Sequence, residues 1–409
     1  MARIVYHSAA PTAARYHVLR LLRHARLTAD PAAPLQTLLI GAGTILWIGE
    51  ADPALDDRLE VEADDLGGQL LIPGLIDGHT HMTGGGGESG FSSRVPEVPL
   101  SHFTSAGVTS AVGLLGTDDT TRSTQSLVAA ARGLRELGLG AWCYTGGYHV
   151  PPVTLTGSVR GDIVNVDPII GVGELALSDH RSSQPTLNEV LRVASDCHVA
   201  GLTTGKAGIL HLHLGDGPRG LEMVRAALDA TELPPRVFNP THINRRTALF
   251  DEALTLAGRG CYVDITAFDV GPDEDGYDGV EALRRYLASD APADRVTISS
   301  DGGGCLPQFD ADGVLTHMDI GTPTTLAATL TTLLRDGADL RRTVAAFTAN
   351  PARLLRLERK GWIGVGADAD LVLLDQGYAI DSVMLGGVWH KRHGRQRIVG
   401  PFEARSNTE

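Results

Sequence analysis

The amino-acid sequence predicts an α/β protein: a (β/α)8 barrel of the TIM type with a small β-sandwich domain formed by the N- and C-terminal segments. Three observations lead there. Between residues 72 and 302, eight short β-branched or apolar runs alternate with longer segments of helical periodicity, the pattern of repeated βα units around a parallel sheet. Both ends of the chain read instead as short strands broken by Gly and Asp turns (LLIGAGTILWIGE, GADADLVLLD, SVMLGGVWHKR). A length of 409 residues accommodates one barrel-sized domain plus a smaller one. The expected division is 71–359 for the barrel, with 1–70 and 360–409 combining into the β domain.

The eight runs are 75–81 (LIDGHTH), 108–116 (VTSAVGLLG), 141–148 (AWCYTGGY), 169–178 (IIGVGELALS), 209–216 (ILHLHLGD), 236–243 (RVFNPTHI), 261–267 (CYVDITA) and 295–302 (RVTISSDG). Helical periodicity covers 118–138, 185–200, 217–231, 246–259 and 278–289, then 321–336 and 339–355 after the last run. A closed parallel barrel places its active site at the C-terminal ends of the strands, so chemistry is sought there.

Composition narrows the function classes. A formal net charge of −14 disfavours nucleic acid or an anionic membrane as partner. No run approaches the roughly 18 apolar residues of a membrane span, and the N-terminal text lacks a signal-peptide core, so a cytoplasmic location is expected. The four cysteines, Cys143, Cys197, Cys261 and Cys305, show no short paired spacing, which suggests core fillers rather than a thiolate metal site or disulfides.

The strongest local signal is His79-Thr80-His81 at the end of the first run. Residues i and i+2 of a strand point to one face, so both imidazoles can meet one ion. Glu174, His213, His242 and Asp301 sit at the ends of the fourth, fifth, sixth and eighth runs. His211 shares the face of His213 and is an alternative ligand; His213 lies nearer the strand end. Six convergent nitrogen and oxygen ligands suit two divalent ions, zinc first, with manganese, iron or cobalt also compatible. Such a pair holds and activates a bridging hydroxide, which is hydrolase chemistry.

The strand ends PGLIDGHTH, LHLGD, PTHINR and SSDG resemble the amidohydrolase superfamily. The surrounding GGGGESG, VTSAVGLLGTD, TGGYHVP, TGSV and SDHRS resemble the isoaspartyl (β-aspartyl) dipeptidase family within it. The resemblance implies hydrolysis of β-aspartyl dipeptides by a homo-oligomer carrying two zinc ions. His79 and His81 would bind the first ion and His213 and His242 the second, with Asp301 on the first ion and acting as general base and acid. It further implies that Gly86, Glu88, Thr117, Tyr148, Arg181, Arg245 and Cys305 contact the substrate: Glu88 at its α-amino group, Tyr148 at the carbonyl oxygen as negative charge develops, and the two arginines at carboxylates. Read on their own, Glu88 is an exposed loop residue, Thr117 a helix N-cap and the run 84–87 a loop whose glycines let it approach a substrate.

Two positions depart from the family pattern. Where relatives carry a carboxylated lysine bridging the metals, this chain has Glu174, which keeps the negative charge but is considerably shorter. An extra residue in this run, with Gly173 beside the substitution, predicts a β-bulge that re-aims the side chain. Cys305 stands where the family has a serine near the substrate carboxylate, and a thiol is the weaker donor. The competing readings are another amide hydrolase of the same superfamily, acting on a cyclic amide, an N-acyl amino acid or a different dipeptide, and a non-catalytic scaffold.

Overall fold

The computed structural model describes residues 19–271, 274–309 and 314–404; residues 1–18 and 405–409 of the expected β domain lie outside them. Strands β1 (Leu19–Ala25), β2 (Gln36–Gly41), β3 (Thr44–Gly49) and β4 (Val61–Asp65) form one sheet in the order β3-β2-β1-β4. After β5 (Leu70–Pro73) the chain enters its parallel strands: β6 (Leu75–Thr80), α1 (Leu100–Ser105), β7 (Val108–Gly113), α2 (Thr124–Glu136), β8 (Gly140–Thr145), α3 (Val159–Asn165), β9 (Ile169–Leu177), α4 (Leu187–Thr204), β10 (Ile209–Leu214), α5 (Glu222–Asp229), β11 (Phe238–Thr241), α6 (Thr247–Gly258), β12 (Val263–Thr266), α7 (Gly279–Ala288) and β13 (Val296–Ser299). A hairpin follows, β14 (Cys305–Phe309) and β15 (Leu315–Ile320), then α8 (Thr324–Arg335), α9 (Leu340–Phe347) and α10 (Ala349–Leu355). Finally β16 (Leu371–Leu374), β17 (Ile380–Leu385), β18 (Val388–Arg392) and β19 (Arg395–Gln396) build a second sheet onto β5. Among the described residues no helix is long and apolar enough to cross a membrane.

All eight parallel runs read from the sequence are strands. β6 to β11 are hydrogen-bonded side by side in chain order, and β12 pairs with β13. The sheet curls: Ile243 N–H donates to Asp264 C=O (3.3 Å) beyond β11, and His81 N–H donates to Gly302 C=O (2.8 Å), bringing the end of the last strand to the end of the first. Alternation assigns the faces. On β10, Leu210, Leu212 and Leu214 pack with the surrounding helices, while Ile209 joins an inner cluster with Ile76, Val112, Tyr144 and Ile170. His211 and His213 continue the inward column of Ile209. The terminal sheets share a core of their own, in which Leu22, Leu38 and Ile45 meet Leu371, Leu373 and Met384.

The helical readings need correction at three places. The expected helix 118–138 begins only at Thr124, because Ser123 and Ser126 form a capping box there. The expected helix 339–355 is broken at Thr348, whose backbone (φ −135°, ψ −79°) is not helical. Helices α1 and α3 and the β14–β15 hairpin were not read at all, being too short for periodicity to register.

Beneath the strand ends, Asp264 of β12 holds three strands together. Its carboxylate accepts from Thr241 Oγ1 (2.7 Å), Thr297 Oγ1 (2.5 Å) and Ser299 Oγ (2.5 Å), and burial raises its pKa against those bonds. Leaving the three buried hydroxyls without their acceptor costs about 1 kcal/mol or more each. Asp264→Ala is therefore expected to lower the unfolding free energy by about 3 kcal/mol, and Asp264→Asn, which keeps one acceptor oxygen, by less. Urea unfolding followed by circular dichroism orders the two; equal costs would remove Asp264 from this role.

Candidate metal centre and substrate pocket

The first histidine pair is fixed by the end of β6. Thr80 turns its hydroxyl to Val112 C=O (3.0 Å), and the imidazoles of His79 and His81 flank Asp301. His79 Nε2 lies 3.3 Å and His81 Nε2 3.1 Å from Asp301 Oδ1. Glu174 lies between this pair and the second: Oε1 is 3.5 Å from His81 Nε2, and Oε2 is 3.6 Å from His79 Nε2, 3.5 Å from His242 Nε2 and 3.1 Å from His213 Nδ1.

Glu174 reaches this point through the predicted bulge. Leu210 pairs with Val172 and Leu212 with Leu175, so Gly173 and Glu174 together oppose His211. The bulge requires glycine, since a Cβ on residue 173 would stand 2.9 Å from His211 Cβ and 3.0 Å from Tyr144 Cδ2. His242 and Asp301 hold left-handed backbone (φ 59° and 53°), a strained state for residues with a Cβ that recurs at functional sites.

These residues fit divalent cations. Ligands at zinc distances of 2.0–2.1 Å in a tetrahedron sit about 3.3 Å apart, close to the separations above. His79, His81 and Asp301 form one group able to hold an ion, and His79, Glu174 and His242 another. His79 Nε2 and Asp301 Oδ1 are buried without a hydrogen-bond partner among the described residues, although they are neighbours.

The electrostatics agree. Burial lowers the pKa of His79, but the charges of Glu174 and Asp301 outweigh it and push it up to about 9. Burial likewise opposes the ionisation of Glu174 and Asp301, yet the adjacent imidazoles hold both well below the carboxylate range. His242 is pushed down to about 3 by burial, the neutral form a metal would need. Two ionised carboxylates thus share a buried centre with the imidazoles.

A pocket opens above these groups, lined by every substrate residue read from the sequence. Thr117 Oγ1 donates to Glu88 Oε1 (2.9 Å), and Arg181 Nη1 donates to the same oxygen (3.3 Å). Thr117 is therefore not the N-cap of α2, a position held by Ser123. Glu88 Oε2 is buried without a hydrogen-bond partner among the described residues. Tyr148 Oη contacts His213 Nδ1 at 2.9 Å, and burial raises its pKa far above the usual phenol value, so it keeps its proton for donation. Arg245 Nη1 donates to Leu214 C=O (3.1 Å). Burial, then the nearby carboxylates of Glu88 and Asp301, push the Cys305 thiol up to about 12, leaving it a neutral neighbour of Glu88.

One reading of the glycine run changes. Gly84, Gly85 and Gly86 do line the pocket, but these glycines answer first to the protein's own backbone. A Cβ on Gly84 (φ 76°) would lie 1.9 Å from Val95 C=O, and one on Gly86 (φ 74°) 2.7 Å from Ser93 C=O. Arg122, buried and overlooked in the sequence, ties the same loop down by donating to Gly85 C=O (2.8 Å) and Val95 C=O (3.1 Å). Asp179 was also missed. It takes a bidentate pair from Arg181 (3.0 and 2.7 Å) and faces His213 Nε2 at 3.0 Å. Its place two residues before Arg181 in SDHRS was the available signal.

Imidazoles and carboxylates gathered around an orphaned focus at the ends of parallel strands define a metal-dependent hydrolase. The chain belongs to the amidohydrolase family, whose sequence model matches residues 70–390. Within that superfamily it is a member of the isoaspartyl dipeptidase family. It is similar to the β-aspartyl dipeptidase of the keratin-degrading thermophile Fervidobacterium islandicum AW-1 solved with β-Asp-Leu, at 40% identity and a TM-score of 0.89, covering 95% of this chain and 99% of that one. A second structure of that enzyme gives 39% identity and a TM-score of 0.85 over 94% of this chain and 100% of that one. A shorter similarity, 35% over 132 residues, links 31% of this chain to an imidazolonepropionase of Pseudomonas entomophila (strain L48), of whose length it spans 27%.

Proposed function

We propose that this chain hydrolyses β-aspartyl dipeptides at the amide of the aspartyl side chain, on a closed (β/α)8 barrel (71–359) with a β-sandwich domain made from 1–70 and 360–409. The observation that carries the substrate reading is Glu88. Its carboxylate is held on one oxygen by Thr117 and Arg181, the second oxygen is buried, and the group lines the pocket beside the Cys305 thiol, where its charge can receive a cation. A free α-ammonium group beside the scissile amide is the cation a β-aspartyl dipeptide would bring. Arg181 and Arg245 would receive its carboxylates, and Cys305 lines the same wall.

Two divalent ions, zinc by ligand chemistry, would be held by His79, His81 and Asp301 on one side and His213 and His242 on the other, with Glu174 shared. When bound they supply Lewis acidity and make water nucleophilic near neutral pH. Asp301 takes a proton from the attacking water and returns it to the leaving nitrogen, because an amine does not depart as an anion. Tyr148 donates its hydroxyl to the carbonyl oxygen as charge develops there. The reading extends to a cytoplasmic homo-oligomer that takes small dipeptides rather than nucleic acid or membrane, in keeping with the net charge of −14.

A substrate panel tests this. Metal-replete protein is expected to cleave β-Asp-Leu in preference to α-Asp-Leu, dihydroorotate and an N-acetyl amino acid, and to lose that activity on chelation and regain it with Zn2+. Preference for the cyclic amide would transfer the protein to a different branch of amide hydrolysis.

A further inference from the structure

His211 is a buried titratable group that the proposed mechanism does not use, and its hydrogen bonds have a fixed direction. Asn239 Nδ2 donates to Tyr262 C=O (3.1 Å), so Asn239 Oδ1 is the acceptor that faces His211 Nδ1 at 2.7 Å. His211 Nδ1 must then carry the hydrogen. Its Nε2 is left as an acceptor, and it lies 2.8 Å from His79 Nδ1, which must donate in turn. In the neutral ring that a metal ligand must be, the lone pair of His79 is thereby assigned to Nε2, the atom that faces Asp301 Oδ1 and Glu174 Oε2 and is otherwise unpartnered among the described residues.

The relay is rigidly seated. His211 stacks on Tyr144 (centroids 5.2 Å apart, planes at 22°). Across the strand it opposes the bulge at Gly173 and Glu174, where only a glycine leaves room for its Cβ. The same packing that carries Glu174 into the site therefore also holds the ring beneath His79.

We infer that His211 and Asn239 are positioning residues, which hold His79 in the tautomer and orientation that present Nε2 to a metal ion. Hydrogen bonds of this kind to a ligating imidazole are worth about 10- to 100-fold in metal affinity. The inference rests on the metal-dependent reading above but not on the identity of the substrate.

The test is made without substrate. Metal-free wild-type protein, His211→Phe and Asn239→Leu are each titrated with Zn2+ against a chromophoric chelator, and each is then loaded with Co2+ for its visible absorption spectrum. Phenylalanine keeps the stacking on Tyr144 but accepts nothing from His79, while leucine removes the acceptor that orients His211. Both variants are expected to bind one of two ions about 10- to 100-fold more weakly and to show an altered cobalt spectrum. With saturating Zn2+, KM for β-Asp-Leu should stay at the wild-type value. Wild-type affinity and an unchanged cobalt spectrum in either variant that folds, as judged by circular dichroism, overturn the inference and leave the proposed function standing. Failure of wild-type protein to cleave β-Asp-Leu, with weakened metal binding in the variants, rejects the substrate reading and supports the relay.

Discussion

Asp301→Asn protein is expected to retain its metal and to lose kcat for β-Asp-Leu by about 10²- to 10⁴-fold, the scale of positioned general acid–base catalysis. Asparagine is the informative replacement for three reasons. It matches the carboxylate in shape, it can still turn an oxygen towards His79 and His81, and it tolerates the left-handed backbone of residue 301 (φ 53°) better than most residues. It cannot take up a proton. Asp301→Ala would remove the proposed proton acceptor and a proposed metal ligand together, so its loss should be at least as large and accompanied by lower metal content. Metal analysis beside steady-state kinetics separates the two effects. An Asp301→Asn enzyme with full metal and more than about a tenth of wild-type kcat would take the proton transfer away from Asp301.

Much of this site was legible in the sequence because barrel geometry converts spacing into direction. In LHLHLGD the period of two turns Leu210, Leu212 and Leu214 outward and both histidines inward. HTH at the end of β6 needs no more than the same rule. The strand-end argument prefers His213 to His211 because it lies nearer the C-terminal end of the strand, and His213 Nδ1 stands 3.1 Å from Glu174 Oε2. What the pattern could not reveal was the work His211 does one layer below, which depends on Asn239 from the neighbouring strand and on the direction of an amide.

The overlooked residues share a cause. Asp264 bonds hydroxyls of remote strands, Arg122 reaches the carbonyls of a remote loop and Asp179 faces His213 of the next strand, and sequence spacing carries no record of those contacts, although Asp179 also pairs with nearby Arg181 and Arg122 with nearby Asp118. The glycine run shows the converse. Its composition correctly marks a close approach, but the surface approached is the backbone of Ser93 and Val95, and only the folded chain distinguishes that from a substrate. Helices α1 and α3 span six and seven residues, too few turns for an apolar stripe to stand out from loop text.

Glu174 makes the second large prediction, and it bears on how the centre is assembled. The family resemblance implies a bridging lysine carboxylated by carbon dioxide, whereas a glutamate carries its carboxylate from synthesis. Activity of this chain is therefore expected to be the same in carbon-dioxide-depleted buffer as in buffer with added bicarbonate, during both metal loading and turnover. The bulge at Gly173 and Glu174 would make up the length that the shorter side chain lacks, and its two carboxylate oxygens lie 3.5 Å from His81 and 3.5 Å from His242. Glu174→Gln keeps that reach but removes the charge that, with Asp301, raises His79 to about 9. It should weaken metal binding and lower kcat/KM by about 10²-fold or more, the range in which loss of a buried charge partner is felt. Glu174→Ala should fall further and bind fewer ions. A bicarbonate requirement in the wild-type protein, or full metal content and activity in Glu174→Ala, would show that the ions are bridged by some other group.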